Sequence, residues 1–166
     1  HLDFTIHPDT ASAIRETTPL LAHVAWERIG AEFLRLLCGP GAGRILLEYP
    51  ETVCQVVPEL APAVGFDQRS PHHCFDVYTH CVKTLEGVSP RPALRLAALL
   101  HDVGKPACFS LDDAGVGHFY NHPQESARQA GDILRRLRLD NAARERAETL
   151  VLRHSLPVEV TPRWVG

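Results

Sequence analysis

One stretch restricts this chain more than any other: residues 91–102, Arg-Pro-Ala-Leu-Arg-Leu-Ala-Ala-Leu-Leu-His-Asp. Ser89-Pro90 is a helix start signal, and the residues that follow are apolar almost all round. A helix of that kind belongs in an interior, with other helices wrapped around it. It runs into His101-Asp102, after which Gly104 and Pro106 are stop signals. A buried core helix therefore delivers an imidazole and a carboxylate at its C-terminal end. Burying that pair is costly unless something compensates it.

The surrounding patterns are helical too. Residues 10–17 suit a short helix. Over 26–38, Ile29, Phe33, Leu34, Leu36 and Leu37 fall on one face, and Gly39-Pro40 ends the run. Residues 42–49 and 51–57 read as helices separated by Pro50, and 63–72 as a connector. A helix over 73–86 places His73, Val77, His80, Cys81 and Thr84 together. Residues 108–120 read as a hairpin turning at Asp112-Asp113-Ala114-Gly115. Helices over 124–138 and 141–154 complete the chain. The second of these is capped by Asp140 or Asn141 and turns Ala143, Ala147, Leu150, Val151 and His154 inward. The expected class is all-α, a helical bundle with one short β-hairpin.

A divalent metal is the economical partner for His101 and Asp102, because imidazole nitrogen and carboxylate oxygen both coordinate it. His80 projects from an inward helix face and supplies a third ligand. Three ligands from two packed helices leave positions for water and substrate. Of ten histidines, seven lie from His72 onward, which widens the field. His122 is a candidate fourth ligand. His118 is a candidate proton donor, and His73 and His154 are candidates for a second shell or second ion. Lys105 is one of only two lysines and follows the His101-Asp102 pair closely.

Other function classes are weakened by composition. A net charge of −3 and a pI near 6.4 argue against a strongly basic nucleic-acid-coating protein. Arg135, Arg136 and Arg138 form a modest basic patch, diluted by Asp132, Asp140, Glu145 and Glu148. Five cysteines with no CxxC pair suggest free thiols in a reducing compartment. No apolar run reaches the ~20 residues of a membrane helix. The start His1-Leu2-Asp3 has no signal-peptide pattern and no initiator methionine, as expected of a piece of a longer cytoplasmic protein.

The string Leu99-Leu100-His101-Asp102-Val103-Gly104-Lys105-Pro106, with His80 upstream in Asp76-Val77-Tyr78-Thr79-His80, resembles the HD superfamily of metal-dependent phosphohydrolases. A closer likeness is to bacterial CCA-adding tRNA nucleotidyltransferases. It is carried by Gly65-Phe66-Asp67-Gln68 leading to His72-His73, and by Gly117-His118-Phe119-Tyr120-Asn121-His122-Pro123. Residues 1–62 resemble the helical neck and body of those enzymes, and 63–166 their HD domain. The glycine-rich loop and paired aspartates of the nucleotidyltransferase head are not found, so the resemblance implies no nucleotide addition by this stretch. It implies metal-dependent hydrolysis of phosphomonoesters, nucleotides or 2′,3′-cyclic phosphates. His80, His101, Asp102 and His122 would hold manganese, nickel, cobalt, iron or magnesium, with Asp102, Lys105 and His118 in catalytic roles. The alternative is a non-catalytic module that supports tRNA binding or holds subunits together around a vestigial site.

Overall fold

The computed structural model describes residues 5–69 and 74–157. Helix α1 (Pro8–Thr17) passes through a 3₁₀ turn, Thr18–His23, to α2 (Trp26–Cys38). Helices α3 (Ala42–Glu48) and α4 (Pro50–Val56) follow, then a second 3₁₀ turn, Pro58–Ala63. The second half holds α5 (Val77–Gly87), α6 (Pro92–Leu100), a hairpin of β1 (Phe109–Leu111) and β2 (Gly117–Phe119), α7 (His122–Arg136) and α8 (Asn141–Arg153). The described residues are all-α apart from that hairpin.

Helix α6 sits in the middle, as its composition demands. Leu96, Ala97, Ala98, Leu99 and Leu100 are buried, and α6 packs against α2, α5 and α8. Ile29, Phe33 and Leu37 reach the same core from α2, Cys81, Val82 and Leu85 from α5, Ile133 and Leu134 from α7, and Ala147 and Val151 from α8.

Several boundaries differ from the sequence expectation. Pro50 opens α4 rather than separating two helices by a gap, because proline's missing N–H is harmless in the first turn. Pro58 and Pro62 lie within the second 3₁₀ turn. Helix α5 starts at Val77, since Asp76 caps it by accepting from the Thr79 N–H at 2.9 Å. Helix α6 ends at Leu100, and residues 101–105 continue as tight turns, with Lys105 N–H donating to the Asp102 carbonyl at 3.0 Å. Leu150 is 40% exposed rather than inward. Asp140 caps α8 as expected, accepting from the Ala143 N–H at 2.9 Å.

The hairpin pairs Phe109 with Phe119 and Leu111 with Gly117. Asp112 closes its turn, accepting from the Ala114 and Val116 N–H groups at 3.0 and 2.8 Å. Gly117 has no room for a side chain: a Cβ there would stand 2.2 Å from the Gln68 carbonyl oxygen. The segment Phe66–Arg69 is thereby pressed against the ribbon, and Phe66 meets Phe109 edge-on at 5.2 Å between centroids.

Candidate metal centre

Asp102 is 2% exposed at the end of α6, and its two oxygens face different partners. Oδ2 accepts from Lys105 Nζ at 2.8 Å and lies 3.2 Å from His101 Nε2 and 3.5 Å from His80 Nε2. Oδ1 lies 3.3 Å from His122 Nε2 and 3.5 Å from His154 Nε2. Two groups of candidate ligands result, His80–His101–Asp102 and Asp102–His122–His154. Within each group the ligand atoms lie within 4.8 Å of one another.

Local structure aims the rings. His101 Nδ1 is 2.9 Å from the Ala98 carbonyl, His122 Nδ1 2.8 Å from the Phe119 carbonyl, and His154 Nδ1 2.7 Å from the Val151 carbonyl. A carbonyl can only accept, so each Nδ1 carries a proton. In the neutral ring, Nε2 is then a lone pair turned toward Asp102. Backbone carbonyls commonly orient metal-bound imidazoles in this way. Asn121, with φ +62°, makes the turn that brings His122 from the hairpin to the first position of α7.

The donor set fits a divalent ion. Asp102 Oδ1 is buried and makes no hydrogen bond of good geometry, while imidazole lone pairs converge on it. Burial pushes the Asp102 carboxyl toward neutrality, but Nε2–H hydrogen bonds from His101, His122 and His154, which those rings donate when no metal is bound and they carry a second proton, outweigh it and hold the group well below the usual carboxylate range. Burial likewise depresses His154, and its contact with Asp102 overrides that and raises it. A cavity of about 420 Å³ opens beside the cluster, lined by His80, His101 and His154 together with Val88, Leu94 and Leu150.

The chain belongs to the HD domain family, whose model matches residues 72–163. A second family model, described as a probable RNA and SrmB-binding site of polymerase A, matches residues 3–63. Among curated relatives, an A-adding tRNA nucleotidyltransferase of Deinococcus radiodurans is 37% identical over 166 aligned residues, covering 92% of this chain and 38% of that protein. A CC-adding tRNA nucleotidyltransferase of Thermus thermophilus is 38% identical, covering 78% of this chain and 32% of that protein. A multifunctional CCA protein of Azoarcus is 28% identical, covering 93% and 39%. The chain spans less than two fifths of the length of these relatives. HD membership implies a divalent metal, and the His/Asp cluster is one that can hold it.

Not every residue singled out from the sequence lies here. His118 belongs to neither ligand group: its Nε2 pairs with Asp112 at 2.9 Å and its ring stacks on Tyr120 at 5.4 Å. A hairpin strand three residues long turns it to the ribbon's exposed face. His72 and His73 lie outside the described residues. Lys105 is not a free surface cation: it is 6% exposed, bound to Asp102, 2.9 Å from Gln68 Oε1 and 5.2 Å from the Phe119 ring centroid. Gln68 entered the sequence reading only as part of the Gly65-Phe66-Asp67-Gln68 resemblance, with no role, since its partner lies thirty-seven residues on.

The basic patch is also largely committed elsewhere. Arg136 makes a paired contact with the Glu59 carboxylate, 2.7 Å at each nitrogen, and lies over the Trp26 ring. Arg135 pairs with Asp132, and Arg138 lies 3.9 Å from Glu27. No helix of the described residues is long and apolar enough to cross a membrane.

Proposed function

We propose that this cluster is the metal centre of a phosphohydrolase acting on phosphomonoesters, nucleotides or 2′,3′-cyclic phosphates. The observation that carries the reading is the convergence of His80, His101, His122 and His154, each through Nε2, on the buried carboxylate of Asp102. A divalent cation there (manganese, nickel, cobalt, iron or magnesium) would supply Lewis acidity toward a phosphoryl oxygen and acidify water. The chain's own part is to hold and orient. Helix α6 delivers His101 and Asp102, α5 His80, the start of α7 His122 and the end of α8 His154. Lys105 fixes the Asp102 carboxylate rather than reaching for substrate. The adjoining cavity admits a phosphate ester, with Val88, Leu94 and Leu150 against its organic part.

The test is phosphate release by chelator-stripped protein supplied with each metal in turn, on 2′,3′-cyclic AMP, nucleotides and a generic phosphomonoester. His101→Ala and Asp102→Ala should each abolish metal binding and hydrolysis while the helical circular dichroism remains. Full activity in either variant ends this reading.

A second reading, a tRNA-supporting module, is favoured by the RNA-binding match over residues 3–63. Under it, residues 1–62 serve as the neck that meets RNA and residues 63–166 as the HD unit behind it. Salt-sensitive tRNA affinity that survives chelation, without hydrolysis by any metal, would select it.

A further inference from the structure

Helices α6 and α8 pack side by side and point the same way. Each ends at the Asp102 cluster, in His101 and His154, whose rings stand 5.0 Å apart. Each carries an exposed arginine at or near its start, Arg91 and Arg146. A groove runs between the two helices. Its histidine end is the cavity of about 420 Å³, and its far end is a larger space of about 1030 Å³. Leu94 and Leu150 line both parts, and Arg91 and Arg146 line the far one. At a helical rise of about 1.5 Å per residue, Arg91 stands about 15 Å from His101 along α6, and Arg146 about 12 Å from His154 along α8.

We infer that the substrate is the phosphate-bearing end of a single-stranded oligonucleotide. Its terminal phosphate sits at the histidines, its last bases lie against Leu94 and Leu150, and an inner phosphodiester is held by Arg91 and Arg146. This deepens the hydrolase reading, on which it rests, by choosing a strand over a free nucleotide. Neither guanidinium has an ion pair or hydrogen bond among the described residues. Of the two acids on the same groove, Asp140 is engaged as the cap of α8, accepting from the Ala143 N–H at 2.9 Å, which leaves Glu145 against two arginines. An anion at the arginines and a phosphate at the histidines must be carried by one extended molecule, and a mononucleotide bears its phosphate at one end only. The wall between them is apolar. Its two hydroxyls donate to their own helices, Thr84 to the His80 carbonyl at 2.9 Å and Thr149 to the Glu145 carbonyl at 2.8 Å. Leu150 is 40% exposed on that wall, a leucine the core does not use. Such a surface takes the flat faces of bases without reading their edges, so binding is sequence-tolerant, with the phosphates supplying the charge.

The test compares substrates by length, on chelator-stripped chain resupplied with each metal in turn. Oligoadenylates and oligouridylates of one, two and three nucleotides, ending in a 3′-phosphate or a 2′,3′-cyclic phosphate, are scored by kcat/KM. The value should rise about tenfold or more from one nucleotide to three, mainly through KM and alike for both bases. In an Arg91→Ala/Arg146→Ala chain, altered only at exposed positions, that ratio should fall to near one. In Arg91→Lys/Arg146→Lys, which keeps the charge, it should stay above half its wild-type value. Binding is read apart from turnover, by the anisotropy of a fluorescein-labelled trinucleotide 3′-phosphate on metal-free chain. The double alanine variant should bind it about tenfold more weakly, and wild-type affinity should fall as salt rises. Equal kcat/KM for one and three nucleotides overturns this inference alone, as does a length gain that survives in the double alanine variant. Absence of hydrolysis with every metal sinks the hydrolase reading alone if the trinucleotide still binds through the arginines, and both if it does not.

Discussion

At the scale of single residues, the site is held by buried polar groups whose partners come from far along the chain. Ser126 is fully buried on α7, and its Oγ accepts from the Gly104 N–H at 2.9 Å, two residues beyond Asp102. Ser126→Ala would leave that N–H buried without an acceptor, at a cost of about 1–3 kcal/mol. Denaturant midpoints should show the loss, and an unchanged midpoint would mean that water replaces the hydroxyl. His101 and Asp102 were legible as candidates because the sequence shows a charged pair at the end of an apolar helix, a local conflict that asks for compensation. Lys105 was legible only as a lysine near that pair. Its burial depends on Gln68 and Phe119, which sequence spacing does not bring near it.

At the scale of elements, α7 is tied to the 3₁₀ turn before the HD segment by Arg136 and Glu59. Both side chains are about a quarter exposed, 29% and 25%. Burial raises the Glu59 carboxyl, and the Arg136 hydrogen bonds outweigh it, so the group lies below its ordinary value. A carboxylate depressed in the folded state contributes stability above its unfolded pKa and loses it as pH falls through the folded one. Glu59→Gln should therefore cost about 1–2 kcal/mol at pH 7, and the gap from wild type should close as pH drops below 4. A gap that stays constant with pH would make the loss one of packing. The helices themselves were legible from periodicity, because an apolar stripe every three or four residues survives whatever it packs against. The 3₁₀ turns at Thr18–His23 and Pro58–Ala63 were not, since proline signals interruption without saying whether the chain coils tightly or extends.

At the scale of the whole molecule, the two segments that match separate family models share one interior. Ile29, Phe33 and Leu37, within the RNA-binding match, lie in the same buried cluster as Leu96, Leu100, Ile133 and Val151 of the HD match. Contact reaches the backbone: a Cβ on Gly30 of α2 would fall 2.0 Å from the Leu137 carbonyl oxygen. The expected boundary near residue 62 marks a change of family pattern, which a sequence displays, while the continuity of the core across it does not appear in any local signal. Such packing predicts cooperative unfolding, so an ion bound at Asp102 should stabilise α2 as well as α6. At a free metal concentration a hundred times the Kd, the gain is about 2.7 kcal/mol for the whole unit. The measurement uses a Trp164→Phe chain, in which Trp26 at the start of α2 is the only tryptophan. Its fluorescence midpoint in urea should coincide with the far-ultraviolet circular dichroism midpoint, and both should rise together when metal is added. A Trp26 midpoint that ignores the metal while the dichroism midpoint rises would mean that the segment before residue 63 unfolds on its own, its shared core too weak to transmit what happens at the metal centre.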